Sequence, residues 1–91
     1  MQLKPEIMRV LEREKECSML AITRLQEKCR VFEVQYGWKT DEFLGKFDMG
    51  DIGDDLDFFH WYAYAEAIND WQITLSNLTK FLVGSETVYV A

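Results

Sequence analysis

The first candidates for chemistry in this chain of 91 residues are five aspartates that lie close together near its middle: Asp48, Asp51, Asp54, Asp55 and Asp57. Clustered carboxylates suit Ca²⁺, and an EF-hand loop needs them at its first, third and fifth positions, with glycine at the sixth and glutamate at the twelfth. Counted from Asp48, the third, fifth and twelfth positions are Gly50, Ile52 and Phe59, so the pattern fails. We therefore expect the aspartates to cap helices and to be solvated.

The single histidine, His60, is the next candidate, because it follows Asp57 by three residues and would share one helical face with it. Asp54 adds a third potential metal ligand. The pair faintly resembles the Glu-x-x-His ligands of di-metal helical bundles, which also need glutamates from other helices. No such glutamates are evident, so we expect neither a metal nor a cofactor. A metal-binding bundle stays open as an alternative.

Nucleophilic catalysis lacks the neighbouring groups that it needs. No serine lies in a local catalytic motif, and a cysteine–histidine site would have to bring Cys17 or Cys29 to His60 from another helix. The two cysteines are separated by roughly 18 Å along one predicted helix, which is too far for a disulfide between them. We therefore expect a non-enzymatic protein with reduced thiols in the cytoplasm, since no signal peptide is evident.

Aromatic residues form a dense group just after the aspartates: Phe58, Phe59, Trp61, Tyr62 and Tyr64. They cover several sides of a helix, more than one helical hairpin can bury. They could form a core and a dimer seam, or a protein-binding patch of the kind in which Trp and Tyr are enriched. We predict a partner-binding face with three aromatic anchors and three steering carboxylates: Phe59, Trp61 and Tyr62, with Asp54, Asp55 and Asp57.

Charge is distributed unevenly along the chain. Residues 1–36 carry seven Lys or Arg and six Glu, whereas residues 37–91 carry three Lys and ten acidic residues. An acidic second half argues against direct contact with nucleic acid, whose phosphates require cationic groups. It favours a basic protein partner, which the field would steer, although solubility alone is the alternative explanation.

The elements that would position these residues are two long helices and a short one. No residue from Glu6 to about Tyr36 breaks a helix, and Gly37 is a natural stop. Apolar residues recur there at the four-three spacing of a heptad seam: Met8, Leu11, Lys15, Ser18, Ile22, Leu25, Cys29, Phe32 and Tyr36, of which Lys15 and Ser18 are the polar members. Further apolar residues widen this face, so we expect the helix to have two apolar neighbours: Ile7, Val10, Met19, Ala21, Val31 and Val34.

A short helix is predicted over 41–48, with Thr40 as its N-cap, and a third helix over 56–83, capped by Asp54 or Asp55. The third helix has an unbroken seam: Trp61, Tyr64, Ile68, Trp71, Leu75, Leu78 and Leu82. Gly84 is expected to end it, and the tail 85–91 alternates like a short strand. The prediction is one all-α domain over 1–91, an antiparallel hairpin that dimerises into a four-helix bundle to cover its wide apolar stripes.

The segment between the long helices resembles a family of small prokaryotic proteins, antitoxin-like partners encoded beside toxins of the TumE type. The matching positions are Tyr36-Gly37, Thr40, Asp41-Glu42-Phe43, Phe47, Gly50, Ile52, Gly53-Asp54 and Asp57-Phe58-Phe59-His60-Trp61. His60 stands where the family usually has glutamate, and the tail from Gly84 has no counterpart in it. The resemblance implies a binding protein that neutralises a basic toxin by direct contact. A self-associating scaffold hairpin without a toxin is the alternative.

Overall fold

The structure is a computed structural model that describes the backbone of residues 4–89 and the side chains of residues 4–83. Three helices follow one another: α1 (Pro5–Tyr36), α2 (Thr40–Met49) and α3 (Leu56–Tyr89). α1 and α3 form an antiparallel hairpin, and α2 joins them at one end. The described residues contain no strand, and the rod measures 56 × 21 × 17 Å. The predicted all-α hairpin with a short connecting helix is confirmed.

α1 forms as its sequence predicts. Pro5 occupies the first turn, where its missing N–H leaves no bond unmade. At the other end Gly37 adopts the left-handed conformation (φ 74°), and its N–H donates to the Glu33 carbonyl at 2.9 Å. Every position of the predicted seam is buried or partly buried, including Lys15 and Ser18. The seam therefore is the side of α1 that packs against α3.

α2 begins one residue earlier than predicted and ends one residue later, at Met49. Lys39, rather than Thr40, is its N-cap residue, and it makes no side-chain capping bond. The prediction of a Thr40 cap is therefore wrong. The physical reason is that the Thr40 hydroxyl is engaged in bonds to α1 and α3, described below. Gly50 ends the helix in the left-handed conformation (φ 70°).

α3 begins at the predicted residue, and one of the two candidate caps is in place. Asp55 accepts a hydrogen bond from the Asp57 amide at 2.9 Å, which satisfies one of the unpaired N–H groups of the first turn. All seven seam positions of α3 are buried or partly buried. Asp55 therefore sets the start of α3, and the four-three spacing sets the side of α3 that faces α1.

The predicted end of α3 is wrong, because the helix continues through Gly84 to Tyr89. A strand over 85–91 is thus contradicted for residues 85–89, and residues 90 and 91 lie outside the described part. Glycine inside a helix costs only about 1 kcal/mol, whereas each added residue gains a backbone hydrogen bond. A lone strand would find no pairing edge among the described residues.

The main core lies at the closed end of the hairpin, where α2 is packed. Its buried members come from all three helices: Cys29, Phe43, Phe58 and Trp61. Farther along the hairpin only the two long helices face each other. No stretch of the described helices combines the length and the apolar character that crossing a bilayer would require.

Candidate functional site

Trp61 is the centre of the closed end and has no exposed surface. Its indole stacks on the Phe43 ring with centroids 3.9 Å apart and planes 2° from parallel. Phe32 of α1 stacks on it from another side at 5.6 Å. The prediction that Trp61 anchors a partner is therefore corrected, because a side chain without exposed area belongs to the core of the fold.

A polar chain connects the three helices beside this core. The indole Nε1–H of Trp61 donates to Thr40 Oγ1 at 3.1 Å, and the Thr40 hydroxyl donates to Glu33 Oε2 at 2.9 Å. The backbone N–H of Thr40 donates to the same carboxylate oxygen at 2.8 Å. One threonine thus satisfies a buried indole and holds the start of α2 against α1, which explains why it does not cap its own helix.

The charge state of two groups follows from this arrangement. Partial burial alone would raise the pKa of the Glu33 carboxyl, but the two hydrogen bonds from Thr40, together with nearby Lys39 and Arg30, lower it. Burial raises the pKa of the Cys29 thiol, and the Glu33 carboxylate raises it further, although a hydrogen bond with Thr40 acts against them. Cys29 is therefore held as a thiol, which is the unreactive form.

Asp57 is tied to α1 rather than presented to solvent. Its Oδ2 accepts a hydrogen bond from the Tyr36 hydroxyl at 2.8 Å. This bond, helped by partial burial and by the charges of Asp57 and Asp55, raises the pKa of Tyr36 to about 12. Asp57 thus lies on the side of α3 that faces α1. Of the three predicted steering carboxylates, Asp54 and the capping Asp55 are exposed, and Asp57 is partly buried.

Phe59 and Tyr62 are brought together on another side of α3, over α2. The Tyr62 ring stacks on Phe47 at 4.6 Å, and Phe59 meets the same ring edge-on at 5.7 Å. Half of the Phe59 surface remains exposed (50%), and Tyr62 is partly buried. These two predicted anchors therefore form one patch, supported from below by Phe47.

Carboxylates border this patch. The Glu66 carboxylate raises the pKa of Tyr62, and burial and the Asp48 carboxylate act in the same direction. Both acidic residues are exposed. We call the group formed by Phe47, Phe59, Tyr62, Asp48 and Glu66 the acidic–aromatic surface. Such a surface can bind a cationic side chain by charge-assisted hydrogen bonds to its carboxylates and by contact with its rings.

Three members of this surface are absent from the partner-binding face that the sequence predicts: Phe47, Asp48 and Glu66. The four-residue step from Tyr62 to Glu66 places both on one helical face and could have indicated Glu66. Phe47 and Asp48 depend on how α2 docks against α3, and no local pattern encodes that docking. Asp54, Asp55 and Asp57 were predicted to steer the partner because acidic residues are dense there. Density alone does not place them beside the rings.

Metal chemistry finds no cluster to support it in the described part of the chain. No three His, Cys, Asp or Glu side chains converge there in a way that could hold a metal ion. His60 is exposed, and Asp57 is bonded to Tyr36 instead.

Comparison with known proteins places the chain in no family: no family model matches it, and no curated protein or solved structure matches it either.

Proposed function

We propose that this chain is a non-enzymatic, antitoxin-like binding protein that neutralises a basic partner protein by direct contact. The resemblance of the segment between the long helices suggests the class of partner, a toxin encoded beside this chain. The proposal includes a cytoplasmic location, where such a pair would meet and where both cysteines would stay reduced.

One observation carries the proposal: the Phe59 ring of the acidic–aromatic surface stays half exposed, although this fold can bury an aromatic ring. Phe59 packs edge-on against Phe47, yet half of it stays exposed, and Tyr62 on the same Phe47 ring lies near the Asp48 and Glu66 carboxylates. Its neighbour Trp61 shows that this fold can bury an aromatic side chain completely. Large aromatic side chains are prominent among the residues that dominate binding energy at protein interfaces.

The charge of the chain favours a cationic partner. The net charge is −6, and the acidic residues are concentrated in the half that contains this surface. Complementary charge mainly raises the association rate and selects the partner, whereas the buried anchors determine how long the complex lasts. The aromatic and acidic parts of the surface should therefore affect different rate constants.

The test is binding of the protein encoded by the adjacent reading frame in the source genome, measured as association and dissociation rates at two salt concentrations. Phe59→Ala should weaken the complex by about 2 kcal/mol, roughly thirtyfold, mostly through faster dissociation. Asp48→Asn with Glu66→Gln should slow association and reduce its salt dependence. Co-expression with the adjacent gene should suppress any growth defect that this gene causes alone.

Matched controls separate the surface from general effects. Ile7→Ala removes a side chain of similar exposure (45%) near the start of α1, at the end of the hairpin opposite α2. Glu12→Gln with Glu16→Gln removes two exposed carboxylates from the far part of α1. Both controls should bind like the parent protein. If the adjacent gene product does not bind, the antitoxin proposal fails. If it binds and the surface variants bind like the parent, the proposed contact surface is wrong.

A further inference from the structure

α1 carries a second four-three stripe on the side that faces away from α3. Its members follow the heptad spacing over about three and a half heptads: Val10, Arg13, Cys17, Leu20, Arg24, Glu27, Val31 and Val34. All of them are exposed. They lie on the side opposite the seam that packs against α3. Five of the eight are apolar or a thiol and three are charged, so α1 carries apolar side chains on two opposite sides. We call the exposed one the outer stripe.

The outer stripe exposes four large aliphatic side chains: Val10, Leu20, Val31 and Val34. Val31 is 65% exposed and Val34 is 74% exposed, and Leu20, about three turns before Val31, is 51% exposed. Val31 and Val34 line a shallow depression with Glu27 and Arg30. A four-three stripe of this kind is the pattern by which one helix packs along another. The seam on the opposite side already has α3 as its partner.

The charges within the stripe identify the occupant. The outer stripe alternates two kinds of heptad position, one with Cys17, Arg24 and Val31 and the other with Leu20, Glu27 and Val34. In an antiparallel pair of identical helices, each kind faces the other kind across the interface. The register that sets Arg24 against Glu27 of the second copy also sets Leu20 against Val31 and Cys17 against Val34. Every apolar member in the overlap then meets an apolar member, and each charged pair has opposite signs. By two-fold symmetry, each of these contacts occurs twice.

Other arrangements of the same stripe bring unlike partners together. A parallel pair sets Arg24 against Arg24 and Glu27 against Glu27, which are repulsive contacts between like charges. An antiparallel shift by one heptad in either direction sets Arg24 against Leu20 or against Val34. These shifts leave Glu27 facing an apolar side chain or a thiol. Only one register among these satisfies the charges and the apolar members together.

We propose that the outer stripe of α1 is the docking surface for a second copy of this chain, antiparallel, with Arg24 opposite Glu27. The helices overlap over about 22 residues, roughly 33 Å at 1.5 Å per residue. The result is a four-helix layer in which the two α1 helices are central and the α3 helices flank them. The acidic–aromatic surface lies on α2 and α3, so the proposal does not depend on the proposed function.

The first test is the oligomeric state of the full chain in sedimentation equilibrium at micromolar concentration. The parent protein should have twice the mass of the 10.8 kDa chain. Arg24→Glu or Glu27→Arg each creates two like-charge contacts and should raise the dimer dissociation constant at least about tenfold. The double variant Arg24→Glu/Glu27→Arg restores opposite charges and should return to within about threefold of the parent.

The second test fixes the register with a cross-link under mild oxidation. Val34→Cys places a thiol opposite Cys17 of the second copy, so this variant should form a disulfide-linked dimer. The parent should not, because two copies of Cys17 lie roughly 25 Å apart in this register. Cys17→Ser/Val34→Cys is the matched control and should also stay unlinked. Circular dichroism of each variant checks that the hairpin is folded.

Three results would overturn the proposed dimer, and one pattern of results would support it. A parent protein that sediments as a monomer overturns the proposal, and so does a double charge variant that stays as weak as the single variants. Cross-linking of the parent through Cys17 would indicate a parallel pair and would also overturn it. A dimer that responds to the charge variants and links only when both thiols are present supports the stripe, the occupant and the register.

Discussion

The two ends of this hairpin are stabilised in different ways. At the closed end three helices meet, and the indole of Trp61 is both stacked on Phe43 and hydrogen-bonded to Thr40. At the open end, where α1 begins and α3 ends, only two helices face each other. The buried positions there are small or aliphatic, such as Ser18 and Leu82. The Ser18 hydroxyl bonds back to the Glu14 carbonyl of its own helix at 2.8 Å and so links nothing across the pair.

A uniform four-three seam does not give this hairpin uniform stability. Both ends follow the four-three spacing, but only the closed end adds a third element and polar bonds between helices. Local stability in proteins follows buried apolar contacts and cross-linking bonds, and it decreases towards ends that lack them. The closed end should therefore stay folded when the open end frays.

The difference between the two ends should be strongest in the stability of two variants at matched tryptophans of α3. Trp61→Ala removes the fully buried indole and should lower the free energy of unfolding by about 3–5 kcal/mol. Trp71→Ala removes the same side chain ten positions later, where it is only partly buried, and should cost clearly less. Urea unfolding followed by circular dichroism measures both. Equal losses would remove the distinction between the two ends.

An intermediate effect is expected from the hydroxyl that links the three helices. Thr40→Val keeps the shape but leaves the buried Nε1–H of Trp61 without its acceptor, at a cost of about 1–3 kcal/mol. Thr40→Ser keeps the hydroxyl and should recover most of that loss. The control is Thr23→Val, because the exposed Thr23 hydroxyl bonds only to Met19 of its own helix. That change should stay within about 0.5 kcal/mol.

The smallest effect is a dependence on alkaline pH at the closed end. The pKa of Tyr36 is about 12 in the folded protein, against an ordinary value of 10.0. Because the folded state retains the phenol proton more strongly, its contribution to stability is complete below pH 10 and is lost as the pH rises through about 12. Asp57→Asn removes the main cause, so the phenol should ionise at lower pH. Ultraviolet absorbance of tyrosine during an alkaline titration measures the change, and an unchanged titration would contradict the assigned bond.

Most of the fold could be predicted from the sequence because it depends on local signals. Heptad spacing placed the facing sides of α1 and α3, Gly37 ended α1, and Asp55 capped α3. Gly84 misled because a glycine ends a helix only when the chain beyond it gains from leaving the helix. Thr40 misled because a threonine before two acidic residues is a good cap locally, and its real partner, the Trp61 indole, is distant in sequence.

The candidate site could be predicted only in part. Trp61 belonged to the predicted seam and to the predicted contact face at once, and its seam position was the better guide. Phe59 and Tyr62 were identified from composition, but their support, Phe47, depends on the docking of α2. Which aromatic rings stay exposed is decided by that docking, and a periodic pattern along one helix does not contain it.

The rate at which the buried thiol of Cys29 is chemically modified measures how often the closed end opens. A thiol-directed reagent can modify Cys29 only when the closed end opens, because the side chain is 4% exposed and its pKa is raised. In a Cys17→Ser background Cys29 is the single reactive group. Its modification rate, divided by that of an unfolded peptide, then gives the equilibrium constant for local opening whenever closing is faster than modification. A bound partner that tightens α2 against α1 and α3 would lower the modification rate of Cys29. Occupancy at the closed end could therefore be followed without a label on the partner.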